Sequence, residues 1–349
     1  VTPQRRERLA AQAYDRIQVF RRGLLLGLPF VALALVVGGS SGYPTDLWSR
    51  GLLTLLGTGI ALALLLALPL AVALARPTDA RDPRWSATVA GLPWTVTLAF
   101  VLSGLLVTAR WRLVFAAIAY AVFVAVVALS ALPLPRPEGH GSPRSRSLTL
   151  PQVVASAALL LWSIGAAWFV MDAFGIAPLG FSPLVVRLTA IHFHYAAFIV
   201  PVIAAVVAAA YPSALSRTAA VISVLGAPST AIGITAAQLG APHWVETLFA
   251  LPMIAGALLV GIVHLGLALG AEGATSPLPV RVLRLVVGAT LLVTMGLAAA
   301  YAGRGWLPWA PTIPQMALWH GIGNAVGVAL CGLLACWLDP ARQARPSGA

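Results

Sequence analysis

Two histidines and a tyrosine stand early in an apolar run: His192, His194 and Tyr195 open a hydrophobic stretch that continues to Tyr211, with Arg187 just before it. Imidazole, phenol and guanidinium groups are costly in hydrocarbon, so their presence there points to a buried or water-lined site instead of a lipid-facing surface. Imidazoles in such a place can take up and release protons, and carboxylates beside them can act as acid or base. Groups of the same kind recur at the ends of other apolar runs: Asp172, His243 with Glu246, and His320 with Asn324. Spacing refines their roles. His192 and His194 are two apart, about 200° around a helix, so they address different neighbours and do not bind one metal from a regular helix. Tyr195 shares the face of His192, and Phe198 follows His194 by one turn. His243 and Glu246, three apart, can hydrogen bond, and His320 and Asn324, four apart, lie on one face. Beside the latter pair, Gly323, Gly327 and Cys331 form a small-residue stripe that allows close helix packing.

The elements that must position these groups are membrane helices. The chain of 349 residues is 60% hydrophobic and 9% charged, with a mean hydropathy of +0.91, far from the composition of soluble domains. Its longest polar interruption, about residues 134–150, is too short for a soluble domain. Apolar runs of the length a helix needs to cross hydrocarbon lie at about 23–39, 51–75, 86–108, 113–133, 151–171, 188–211, 218–240, 245–271, 280–301 and 315–338. Barrel strands would be half as long and alternating, so the expectation is an all-α, polytopic bundle of about ten transmembrane helices. In this division residues 1–22 are a basic cytoplasmic N-terminal segment, 23–338 the transmembrane domain and 339–349 a cytoplasmic tail, with the first run an uncleaved span.

The formal charge of +12 arises from 22 basic residues, all arginine, set at the ends of apolar runs. There they act as topology signals, which excludes nucleic acid as the partner and leaves the lipid bilayer. With both termini cytoplasmic, 17 of the 22 fall on the inner side. Most tryptophans, Trp168, Trp244, Trp306, Trp309 and Trp319 among them, fall near span ends, the pattern of an interfacial belt. Cys331 and Cys336, five apart, point to different sides of a helix and suggest neither a disulfide nor a thiolate metal site. The chain has no nucleotide-binding loop, no Gly-x-Ser-x-Gly elbow, no His-Glu-x-x-His site and no Cys-x-x-Cys pair, and no metal site is expected.

This topology puts Asp172, Arg187, His192, His194, His243, Glu246 and His320 near one membrane face, the outer one. If the fifth, sixth, eighth and tenth spans are neighbours, these groups converge on a single outward-opening pocket. His192, His194, Glu246, His320 and Asp172 would then do the proton chemistry. Tyr195, Phe198, Asn324, Trp244, Trp319 and Arg187 would line the substrate. The plainer reading is an interfacial role for His243 and His264, a loop or ion-pair role for Asp172 with Arg187, and packing for the glycine stripe.

Three segments carry a resemblance: LTAIHFHYAAFIVP at 188–201, GAPSTAIG at 226–233 and WHGIGNAVG at 319–327. Over roughly residues 150–338 the chain resembles the YndJ-like family of bacterial membrane proteins, with the first four spans similar mainly in hydropathy. The resemblance implies a bacterial plasma membrane protein of transporter-like kind, and His192, His194, Tyr195, His320 and Asn324 fall on its motifs; Glu246 and Asp172 enter from topology alone. A transporter would handle a small lipophilic or amphipathic molecule, its access coupled to protonation, because the inner halves of the spans carry few polar groups besides His264. The alternative is a membrane-embedded enzyme in which the carboxylic acid of Glu246 or Asp172 starts cyclisation or isomerisation of an isoprenoid, as in a terpene cyclase. A second alternative follows from His192-Phe193-His194-Tyr195, which is similar to a segment of haem-copper oxidase subunit I whose two histidines serve different haems. That would make haem the cofactor, held by His192 or His194 with His320; otherwise no cofactor is expected.

Overall fold

A computed structural model describes residues 63, 66–68, 70–71, 74–75, 109–130 and 148–339. Among these residues the regular structure is helical. Six helices are long and apolar enough to cross a membrane: α2 (Leu150–Phe174), α3 (Pro183–Ala210), α4 (Ala214–Gln238), α5 (His243–Leu269), α6 (Leu278–Ala302) and α7 (Ile313–Leu338). They are preceded by α1 (Ala109–Ser130) and by the scattered helical positions from Ala63 to Ala75. The runs expected from about residue 113 onward thus appear as helices in the expected order. The first and third expected spans, the N-terminal segment and the tail beyond residue 339 lie outside the described residues.

Local sequence explains the helix ends. Thr149 and Thr312 each donate a backbone N–H to a glutamine side chain three residues on, Gln152 and Gln315, at 2.8 Å. Ser213 caps α4 by accepting from Ser216 N–H at 3.1 Å. Gly175 ends α2 in the left-handed conformation, at φ 69°. Prolines open α2, α3 and α6, where the missing N–H costs no hydrogen bond.

The helices are packed unequally. In α3 83% of the most apolar stretch is buried, against 33–44% in the other five, so α3 is the central helix and the others present one side outward. Leu225, Ile232, Leu251, Val293 and Val326 are exposed, as expected of positions that meet lipid. Close approach of α4 and α5 depends on glycine: a Cβ on Gly226 would lie 2.6 Å from Met253 Cα, and one on Gly256 would lie 2.8 Å from Ser223 N. Ser229 Oγ then donates to the Phe249 carbonyl at 2.7 Å. The stripe of Gly323 and Gly327 does the same for α7, whose glycines face Thr294 and Thr290 of α6. Trp337 of α7 donates to the Leu66 carbonyl at 3.0 Å, which places the described helical positions around Leu66 beside α7.

Two helices depart from regular α geometry. In α3 the segment Phe193–Ile199 is π-helical, and so is Met316–Leu330 in α7. Pro201 lies just beyond the first; lacking an N–H and crowding the preceding turn, it favours a local change of ladder. The regular-helix spacing expected for His192 and His194 is therefore modified, since His192 closes the α part and His194 lies in the wider turn.

Candidate functional site

His194 is fully buried and is held on both sides of its ring. Its Nδ1 lies 2.7 Å from the Ala190 carbonyl, which can only accept, so Nδ1 carries the proton. Nε2 is then the acceptor for the Tyr120 hydroxyl at 2.6 Å, and Tyr120 oxygen accepts from Trp162 Nε1 at 2.9 Å. Tyr120 comes from α1 and Trp162 from α2. Tyr120 stacks on the imidazole at 5.8 Å between centroids, and Phe198 stacks on Trp162 at 4.9 Å. Gly165 of α2 makes the room: a Cβ there would stand 2.9 Å from His194 Nδ1. Each polar atom in this chain of three rings has its partner, which makes it a specifying contact among α1, α2 and α3.

His192 lies within electrostatic range of His320 of α7, and its Nε2 is buried with no hydrogen-bond partner. His320 Nδ1 donates to the Thr294 carbonyl of α6 at 3.0 Å, leaving Nε2 as the acceptor. Thr294 Oγ1 donates to Asn324 Oδ1 at 2.9 Å. The expectation that the two histidines of α3 address different neighbours is met, and the group His192, His320, Asn324 and Thr294 joins three helices.

The carboxylates are engaged elsewhere. Asp172 accepts from Arg187 at 2.7 and 2.9 Å, tying α2 to α3. Glu246 accepts from Arg304 at both oxygens, at 2.9 and 2.7 Å, and lies 3.3 Å from His243 Nδ1. Arg304 also rests over the Tyr301 ring at 4.4 Å. These contacts distribute the expected cluster into three groups at one end of the bundle: Asp172–Arg187, His192–His320–Asn324, and His243–Glu246–Arg304. A single pocket formed by spans 5, 6, 8 and 10 is not what the helices build, because α5 packs chiefly against α4 and α6. Hydropathy fixes the depth of a residue but not the neighbour it faces.

The aromatic residues also divide. Tyr195 and Phe198 are buried in the main core. Trp244 and Trp319 are 56% and 64% exposed and point away from the bundle, in keeping with Trp306 and Trp309 and with an interfacial belt. Haem ligation by His194 does not fit, since both its ring nitrogens are already bonded. His192 and His320 each retain an unprotonated or unpartnered nitrogen. Among the described residues no group of three or more His, Cys, Asp or Glu side chains is placed to hold a metal ion.

Sequence reasoning passed over a polar group at the opposite end. Arg284 of α6 is 2% exposed and pairs with Asp339 just beyond α7, itself 3% exposed. Tyr211 at the end of α3 donates to Asp339, 3.0 Å from Oδ2, and Arg284 Nη1 donates to Ser276 at 3.3 Å. Arg284 had the signature of a topology signal; its position seven residues inside α6, past Arg281, was the available clue that it is buried.

No curated protein and no solved structure matches the chain at a significant level. A family model described as YndJ-like protein matches residues 59–328, reaching well before the segment at about 150 where the motifs begin to carry the resemblance. Most of the chain is covered, including α1 to α6, the π-helical segment of α3, nearly all of that of α7 and every residue of the His192–His320 group. This multi-pass helical chain belongs to the YndJ-like protein family.

Proposed function

We propose that the chain is a transporter-like protein that binds a small lipophilic or amphipathic molecule between α3 and α7, where His192, His320 and Asn324 meet. The observation that carries this reading is the unpartnered, buried Nε2 of His192, within electrostatic range of His320, whose own Nε2 is an open acceptor. Unmatched polar atoms cost free energy in a dry interior, and a ligand hydroxyl, amide or acid would match them. α7 is π-helical at His320 and Asn324 and α3 becomes so immediately after His192, and irregular helices that line a site are a recurring feature of transport proteins. The reading includes ten spans with both termini in the cytoplasm of a bacterium, so that this end of the bundle faces outward. Proton-initiated cyclisation has less support: Asp172 and Glu246 are each held by an arginine, in ion pairs apart from the His192–His320 group.

The test is extraction of the detergent-purified full chain and mass spectrometry of the extract, alongside His192→Ala and His320→Ala. The expected result is a lipophilic molecule that co-purifies with the wild type, is depleted in both variants and is released unchanged on acidification. Conversion of that molecule on incubation would make the protein an enzyme. A Soret band lost in either variant would make it a haem protein. Equal recovery from all three preparations would remove His192 and His320 from the site.

A further inference from the structure

His264 of α5 is 1% exposed, and neither of its ring nitrogens has a hydrogen-bond partner. An imidazole always presents at least one donor, and a buried donor and acceptor left unmatched are each costly. The ring lines a small recess together with Val206, Ala210, Arg284, Cys336 and Asp339. That recess is bounded by α3, α5, α6 and the end of α7, and the contacts of Arg284, Asp339, Tyr211 and Ser276 join the ends of α3, α6 and α7 to the α5–α6 connection. The Arg284 guanidinium also lies over the Tyr211 ring at 4.8 Å.

We propose that His264 is a proton-binding site at this end of the bundle, and that its protonation opens the Arg284–Asp339 latch. The argument is one of charge. With His264 neutral, the described lining of the recess holds one guanidinium and one carboxylate, whose charges cancel. One added proton leaves a net positive charge in an apolar enclosure, where an uncompensated charge is far more costly than a matched pair. It also places a second cation beside Arg284, competing with it for Asp339. Both effects are relieved when the recess admits water, which separates the end of α7 from α6.

The groups facing His264 support this balance. Arg284 comes from α6, and Cys336 and Asp339 from the end of α7; Tyr211, at the end of α3, meets Arg284 and Asp339 behind them. From α4, packed on α5, the charged residue is Arg217, which is exposed. Glu272, past the end of α5, is exposed, and Arg281 donates to the Ala268 carbonyl at 2.9 Å. The inference does not depend on a ligand at the His192 end, so either can fail without the other.

Cys336, 4% exposed, provides the readout. In a Cys331→Ser background, maleimide modification of Cys336 is followed between about pH 5 and pH 8, the range in which a histidine switch acts. The ratio of the wild-type rate to that of His264→Asn at each pH removes the pH dependence of the thiol itself. The expected ratio rises several-fold as pH falls. A ratio constant with pH overturns the proposal. If His264→Asn does not reach the membrane, hydrogen exchange of the wild-type peptide around residues 335–339 decides: exchange accelerated at low pH beyond the intrinsic chemical rate supports the latch, and unchanged protection overturns it.

Discussion

His194 and His264 are both fully buried histidines on transmembrane helices, and they are opposite in every other respect. His194 has a carbonyl on one nitrogen and a tyrosine on the other, with a tryptophan completing the chain. His264 has neither nitrogen matched and lies beside a buried ion pair. The first arrangement exhausts the hydrogen-bonding capacity of its members, so it fixes the relative positions of α1, α2 and α3 and has nothing left to offer a ligand. The second leaves capacity unused in a place where that is expensive, which is the mark of a group that acts and not of one that holds. Equal burial therefore says little about role; the count of matched atoms separates the two.

The strongest test of that contrast removes the ion pair beside His264. Arg284→Ala leaves the Asp339 carboxylate buried with Tyr211 as its remaining donor among the contacts described above, and breaking a buried pair in this way costs about 3–5 kcal/mol. Thermal unfolding in detergent is expected to show a large downward shift, with α7 the first element to gain hydrogen exchange. A shift no larger than that of an exposed-pair variant would mean that the recess is already open to water.

A smaller loss is expected from the closed chain. His194→Ala strands the Tyr120 hydroxyl and opens a cavity, for a combined cost of about 2–4 kcal/mol. Tyr120→Phe in the same background should then cost much less than it does alone, because the group it removes no longer has its acceptor. Additive effects of the two substitutions would show that the three rings do not act as one unit, and would weaken the distinction from His264.

The sequence made some of this legible and concealed the rest for identifiable reasons. Apolar run length placed α2 to α7 correctly, because the hydrocarbon thickness leaves helices little freedom in length. The pairs Asp172–Arg187 and His243–Glu246 were readable because each joins groups close in sequence at one span end. The Gly323 and Gly327 stripe announced a close helix contact through side-chain size alone, though not that α6 is the helix it meets. Convergence of His192 with His320, and of Glu246 with Arg304 instead of with either histidine of α3, depends on which helices are adjacent and how each is rotated. Periodicity in a span that is apolar all round carries almost no record of rotation, since lipid and core select similar side chains. The π-helical turn of α3 had a local cause in Pro201, yet its effect on the direction of His194 required the backbone itself.

The smallest expected effect is also the most discriminating. If His264 contributed to stability as His194 does, His264→Leu would cost a similar amount. With both ring nitrogens unmatched, there is no hydrogen bond to lose, and an apolar side chain of comparable volume removes the desolvation cost of the imidazole. The expected change in unfolding temperature is therefore within the range of about 1 kcal/mol either way, with stabilisation the more natural sign. Loss of the low-pH opening should accompany this near-neutral stability, because leucine cannot carry the proton that unbalances Arg284 and Asp339. A large destabilisation would show that ordered water already completes the imidazole's bonds, making the His264 recess another closed network, and the difference between the two histidines would be one of partner and not of function.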